Sequence, residues 1–258
     1  MNWDCCKIMK KAFFISDLHL GARYSDDIHD AERRVTRWLD SVRHEMTELY
    51  LMGDILDYWY EYRYVVPRGY VRFFGKLAEL SDSGVKIHWF IGNHDIWIFD
   101  YLPHELGIEV IDGSAIRDIM GSRFFLAHGD GVGRHSLSFR FLRALFRNRL
   151  CQHLYAAIHP RWTVPFANGW SSLSRQSHKE VPSVDDQACR ATRRYVEEYS
   201  TTHPDINYYV FGHFHVAEDI AMPNNARMVV LGDWIKLFTY ASFDGTTLEL
   251  RHANIPAQ

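Results

Sequence analysis

The sequence predicts an α/β fold, and three observations carry that expectation. Short apolar runs alternate with longer stretches whose apolar residues recur every three and four positions. Clusters of Gly, Asn, Asp and Ser punctuate them. Five of the apolar runs end in a polar cluster, which is where open α/β sheets collect ligands. The clusters are Asp17-Leu18-His19, Gly53-Asp54, Gly92-Asn93-His94-Asp95, His128-Gly129-Asp130 and Gly212-His213-Phe214-His215.

Residues 12–16 read as a buried strand that enters a loop at Asp17. A helix follows over 30–44, with Val35, Trp38, Leu39 and Val42 on one face. The grammar repeats with a strand at 49–52, a helix at 71–80 and, after the Asp82-Ser83-Gly84 turn, a strand at 85–91. Residues 108–111, 116–119 and 123–127 read as short strands, the last two joined by a turn at Met120-Gly121-Ser122. A helix is expected at 137–154 and another at 185–199. Strands at 208–211, 228–231, 237–243 and 247–251 close the chain.

At 258 residues and 30.3 kDa, with 47% apolar residues, the chain can fill a substantial core. Its net charge of −3 excludes wholesale nucleic-acid binding, which needs a basic stripe, so no nucleic-acid partner is expected. Cys5, Cys6, Cys151 and Cys189 have neither zinc-ligand spacing nor disulfide-scaffold density, and read as thiols of a cytoplasmic protein. No apolar stretch approaches the roughly 18 residues of a spanning helix.

The five clusters supply Asp, Asn and His. Carboxylate and amide oxygens suit hard divalent ions and imidazole suits softer ones, so the mixture points to manganese, iron or zinc. In Asp17-Leu18-His19 and His213-Phe214-His215, residues two apart would share one side of an extended strand end and could grip one ion. Asn93 follows Gly92, whose missing side chain permits a tight loop. One such cluster is weak evidence, since a histidine at a strand end is more often a hydrogen-bonded surface residue. Five in one chain are a constellation.

The succession D-x-H, G-D, G-N-H-D, H and G-H-x-H, from Asp17 to His215, resembles the calcineurin-like metallophosphoesterase superfamily. The resemblance implies a four-layer α-β-β-α sandwich of two mixed sheets, with residues 1–130 and 183–258 as the core. It places Asp17, His19, Asp54 and His215 on one ion, and Asp54, Asn93, His128 and His213 on a second. Asp54 bridges the two, and manganese is the leading ion. Paired ions clamp a phosphoryl group and lower the pKa of water, so the nucleophile is water. No Gly-x-Ser-x-Gly or Walker motif offers another nucleophile. His94 becomes the proton donor or a phosphate contact. Asp95 either orients it or caps a helix over 96–102. Of Asp57, Asp130 and Asp233, only Asp130 is expected to brace a ligand.

Local features resemble one branch, the UDP-2,3-diacylglucosamine pyrophosphohydrolases. They are Ile15 to Leu20, Ser81 to Val85, Leu126 to Asp130 and Val230 to Trp234. That branch implies hydrolysis of a UDP-linked diacyl sugar lipid to lipid X and UMP, a helical cap at 131–182, and peripheral contact with the inner face of the inner membrane. Residues 131–182 carry eight Lys or Arg against one Glu, which fits an anionic lipid substrate. Leu137, Phe139, Phe141, Leu142, Leu145, Phe146, Leu150 and Leu154 would line acyl chains. Asn93, His94, Arg140, Arg143, Arg147, Asn168, Ser172, Arg175 and Lys179 would meet phosphate, sugar or uracil. The alternatives are an ordinary amphipathic helix with its apolar face on the core and its arginines in solvent, and a phosphodiesterase or phosphatase acting on a soluble nucleotide or another phosphoester. His94 stands where some members of the branch carry Arg, and Phe214 where Thr is usual.

Overall fold

The computed structural model describes residues 10–22, 27, 29–133, 137–167, 169 and 184–255. Its first half is β1 (Lys11–Ile15), α1 (Asp30–Val42), β2 (Met46–Leu51), α2 (Val71–Asp82), β3 (Lys86–Phe90), α3 (Tyr101–Leu106) and β4 (Glu109–Ile111). Then come β5 (Ala115–Ile119), β6 (Ser122–Ala127), α4 (Leu137–Arg147), α5 (Arg149–Ala156) and α6 (Val184–Thr202). The chain closes with β7 (Tyr208–Phe211), β8 (Ala217–Ala221), β9 (Arg227–Leu231), β10 (Thr239–Phe243) and β11 (Leu248–His252).

Both sheets are mixed. The first runs β11-β10-β1-β2-β3-β4, with β1 to β4 parallel and β10 antiparallel to β1. The second runs β5-β6-β7-β9-β8, with β6, β7 and β9 parallel and antiparallel strands at both edges. Alternate residues of each strand serve opposite faces. Phe14, Tyr50 and Phe90 of the first sheet meet Phe124, Leu126 and Val229 of the second. On the outer face of the first sheet, Phe13, Leu49 and Trp89 pack with Val35 and Trp38 of α1 and Phe73 and Leu77 of α2. On the outer face of the second, Phe125, Tyr209 and Met228 pack with Val196 of α6. The result is the four-layer α-β-β-α sandwich, with each large buried side chain contributing about 1.5–3 kcal/mol of burial free energy.

Three elements differ from the sequence reading. The helix expected over 137–154 is two helices, because the Asn148 side chain accepts the N–H groups of Leu150 and Cys151 and starts α5 afresh. The helix expected from Ile96 begins only at Tyr101. There the buried Glu61 carboxylate, 38 to 40 residues away in sequence, accepts the N–H groups of Phe99, Asp100 and Tyr101. Strand β8 escaped the reading: Ala217-Glu218-Asp219-Ile220-Ala221 is a charged edge strand whose propensity is weak and whose pairing with β9 is tertiary.

Candidate metal centre

The clusters follow the carboxyl ends of β1, β2 and β3 in one sheet and β6 and β7 in the other, and meet where the two sheets adjoin. Backbone bonds weld the loops together. Asp17 N–H donates to Gly53 O at 3.1 Å, His19 N–H to Asp54 O at 3.0 Å, and Gly212 N–H to His128 O at 2.8 Å. Close approaches here require glycine. A Cβ on Gly92 would lie 2.2 Å from Asp54 Oδ1, and one on Gly212 would lie 1.9 Å from Ser16 Oγ.

Asp17, His19, Asp54, His213 and His215 all have positive φ, between 43° and 71°. The expected geometry, i and i+2 side chains on an extended strand end, is therefore corrected: β1 and β7 have already ended, and the ligand-type residues sit in left-handed backbone. Such conformations cost of order 1–3 kcal/mol each for residues other than glycine and persist only where the surroundings enforce them. The carboxylates help to enforce them. Asp17 Oδ2 accepts His213 N–H at 2.8 Å, and Asp54 Oδ1 accepts His94 N–H at 2.9 Å.

Donor atoms converge in three overlapping groups, Asp17-His19-His215, His19-Asp54-His94 and Asp54-His128-His213, each within 4.8 Å. His19 Nε2 lies 3.8 Å from both Asp17 Oδ1 and Asp54 Oδ2. His128 Nε2 lies 3.4 Å from Asp54 Oδ2, and His215 Nε2 lies 3.7 Å from Asp17 Oδ1. These separations are long for hydrogen bonds and suit ligands that share an ion at about 2.0–2.2 Å. Asp17 Oδ1, His19 Nε2 and His128 Nε2 are buried with no hydrogen-bond partner. Leaving three such atoms unpaired costs roughly 1–3 kcal/mol each, and a divalent cation would satisfy all of them. The donor set therefore fits a divalent metal.

The opposite imidazole nitrogens are braced. His128 Nδ1 is 2.8 Å from Met52 O, His19 Nδ1 is 3.4 Å from Asp57 Oδ1, and His215 Nδ1 is 3.3 Å from Asp233 Oδ2. Bracing of this kind turns Nε2 inward and raises its basicity. Asp57 also lies 3.6 Å from His94 Nδ1 through Oδ1, and its main-chain oxygen is at 3.2 Å. The sequence reading singled out Asp130 for such a role and passed over Asp57 and Asp233. In the structure Asp130 accepts instead from Arg143. The one sequence signal for Asp57 is its place three residues after Asp54, in the same loop.

Charge follows geometry. Burial disfavours ionised Asp54, but the imidazoles of His128 and His94 outweigh it and hold the carboxyl well below the usual range. Burial also opposes protonation of His19 and His128. Asp17 and Asp57 nonetheless push His19 up to about 10, and Asp54 does the same for His128. Burial and the His128 charge push His213 down to about 4. Two buried carboxylates thus pull positive charge into the cluster, as protons or as cations.

Asn93 is exposed on its loop beside His94, whose own N–H is held by Asp54. Asp95 neither orients His94 nor caps a helix. Its carboxylate accepts from Gly92 N–H, Ile55 N–H and Trp89 Nε1, and so ties the Asn93 loop to the Asp54 loop. Phe214 packs into the core behind the second sheet, with its ring 5.3 Å from that of His213. In the insert, Arg140 is exposed, Arg143 Nη1 donates to Asp130 Oδ2 at 2.7 Å, and Arg147 Nη2 lies 2.8 Å from Asp112 Oδ1. Arg143 and Arg147, both expected to meet phosphate, are engaged on core carboxylates. Asn168, Ser172, Arg175 and Lys179 lie outside the described residues, as does the Phe139 side chain.

Comparison with known proteins agrees with this geometry. The family model described as calcineurin-like phosphoesterase matches residues 10–217. A UDP-2,3-diacylglucosamine hydrolase of Porphyromonas gingivalis is 46% identical over 252 residues, covering 93% of this chain and 96% of the relative. Enzymes of the same name from Nitrosococcus oceani and Neisseria meningitidis are 27% and 25% identical, over 86% and 88% of this chain and 86% and 90% of theirs. The Asp and His donors gathered from the ends of five strands, those after β1, β2 and β6 buried, and a family match spanning most of the sequence lead to one conclusion: this chain belongs to the calcineurin-like phosphoesterase family.

Proposed function

We propose that the protein hydrolyses the diphosphate of UDP-2,3-diacylglucosamine to UMP and lipid X, using a pair of divalent ions, manganese first among them. The observation that carries the lipid substrate is the facing of α4. This helix turns Arg143 and Arg147 toward core carboxylates and leaves Leu137 80% and Phe141 71% exposed. An apolar face turned outward needs an apolar occupant. Leu150 and Leu154 of α5 and Trp162 extend it. Acyl chains beside the metal cluster would cover it, and so would the inner leaflet from which such a substrate is drawn. Among the described residues no helix is long and apolar enough to cross a membrane, so the contact would be peripheral.

Asp17, His19, Asp54 and His215 would hold one ion, and Asp54, Asn93, His128 and His213 the other. When bound, the ions polarise the phosphoryl group and lower the pKa of water. His94, held at Nδ1 by Asp57, would move a proton at Nε2 as the diphosphate breaks. Asp57 keeps that ring and the His19 ring in register. Residues 1–130 and 183–258 form the catalytic core in this reading, and 131–182 the cap. Arg140 meets anionic groups at its surface, and Asn168, Ser172, Arg175 and Lys179 reach the sugar and uracil.

The test is release of UMP from the diacyl UDP-sugar by manganese-loaded protein, set beside the deacylated UDP-sugar. Strong preference for the acylated compound is expected, because remote binding energy contributes to turnover. Equal rates on both, or inertness on both with activity toward soluble nucleotides, would move the protein to a soluble phosphoester.

A further inference from the structure

Among the described residues, the insert is fastened chiefly to loops that carry parts of the metal cluster, with Arg147 reaching Asp112 after β4 as a further anchor. Asp130, 6% exposed, lies two residues after His128 and accepts from Arg143 of α4. The guanidinium packs so closely that a Cβ on Gly131 would lie 2.9 Å from both of its terminal nitrogens. Tyr58 follows Asp57, and its hydroxyl lies 3.1 Å from that of Tyr155 in α5. Trp97, three residues after His94, donates from Nε1 to Phe146 O at 2.9 Å. Tyr60 and Tyr62 extend the seam, the first donating to Gln152 O at 2.6 Å, the second 2.6 Å from Thr163 Oγ1.

A loose lid would keep its arginines in water and lay its leucines on the core. Here the arginines dock beside the Phe146 and Tyr155 rings, which pack on Trp97 and Tyr60, while Leu137 and Phe141 face out. Such docking is directional: hydrogen bonds and a largely buried ion pair fix distance and angle, whereas apolar contact alone would let the helices slide.

We propose that Arg143, through Asp130, and Tyr155, through Tyr58, are positioning residues that set the insert at one height over the cluster, so that acyl chains and diphosphate are held in a single register. The assignment rests on the lipid-substrate reading above. It also gives Arg143 a role other than phosphate contact. A phosphate ligand would act without Asp130, whereas a clasp needs both partners.

The test measures kcat and KM of the manganese-loaded protein on the diacyl UDP-sugar and on bis(4-nitrophenyl) phosphate, for R143Q, D130N, the double variant and Y155F. Chymotrypsin cleavage within residues 137–156 is followed alongside. R143Q and D130N are each expected to raise KM for the diacyl substrate about tenfold, with the double variant no worse than either, because a pair that acts as a unit is lost only once. Y155F is expected to raise it about threefold. R143Q and Y155F should keep turnover of the small diester within about twofold while cleavage accelerates. A loss in R143Q on both substrates with D130N unchanged would make Arg143 a phosphate contact and overturn the clasp. Unchanged KM and unchanged cleavage in all variants would overturn it as well. Were the unaltered protein active on the small diester but inert on the diacyl substrate, the functional reading would fall instead, and faster cleavage of R143Q would still support the clasp.

Discussion

Helices α1 and α4 are both amphipathic, and they face opposite ways. Helix α1 buries Val35, Trp38 and Leu39 against the first sheet and carries Arg33, Arg34 and Arg37 on its other side. Helix α4 half-buries Arg143 and Arg147 against Asp130 and Asp112 and leaves Leu137 and Phe141 in solvent. One helix is an ordinary wall of the core. The other leaves part of its apolar face uncovered. Their periodicity is the same, so amphipathicity tells that a helix has two faces and not which face the core receives.

The metal cluster is the fixed point of that comparison, and its loss is the largest expected effect. Asp54→Ala removes a donor shared by two of the three groups and should lower turnover on the order of a thousandfold, with metal content per chain falling in the same preparation. Full metal content in this variant would move the bridge elsewhere. Next comes the contrast between the helices. Leu39→Ala should cost about 2–5 kcal/mol in urea unfolding, since its side chain is fully buried. Phe141→Ala should stay within about 0.5 kcal/mol and instead raise KM for the diacyl substrate. A large stability loss at Phe141 would make α4 a wall like α1.

A smaller effect belongs to the bracing carboxylate. Asp233→Asn should weaken metal affinity about 10–100-fold by calorimetry, because it loosens His215 without removing a ligand. Unaltered affinity would reduce Asp233 to a cap for the N–H groups of Ile235, Lys236 and Leu237, which its Oδ1 also accepts. The last comparison is the pH dependence of metal-stripped protein. His19 and His128 rise from 6.5 to about 10 on folding. Their stabilisation is fully present below about 6.5 and is lost as pH rises through about 10. The melting temperature of chelator-treated protein should therefore fall across that window while metal-loaded protein falls less. A constant gap between the two would show that the cluster does not draw in protons when stripped.

Most of the fold was legible in the sequence. The β1, β2 and β3 runs and the α1 and α2 stripes are local patterns, and every cluster could be placed at a strand end from its neighbours alone. What could not be read was set across distance. Strand β8 depends on its partner β9, and the start of α3 on Glu61. The left-handed backbone of Asp17, His19, Asp54, His213 and His215 is imposed by loops welded to one another; Asp and His tolerate it better than most residues but do not require it. Asp57, Asp130 and Asp233 are the same side chain in three similar loops. Only their contacts with His19, Arg143 and His215 separate them.

The sequence by itself determined the order of elements, the donor types and their delivery to strand ends, because periodicity and strand direction are properties of short segments. The tertiary structure decided which carboxylate braces which imidazole and which way α4 faces. Those outcomes rest on contacts such as the bond from His213 N–H to Asp17 Oδ2, between residues 196 positions apart. No local pattern encodes such a contact; it exists only once two sheets have packed and brought their strand ends together.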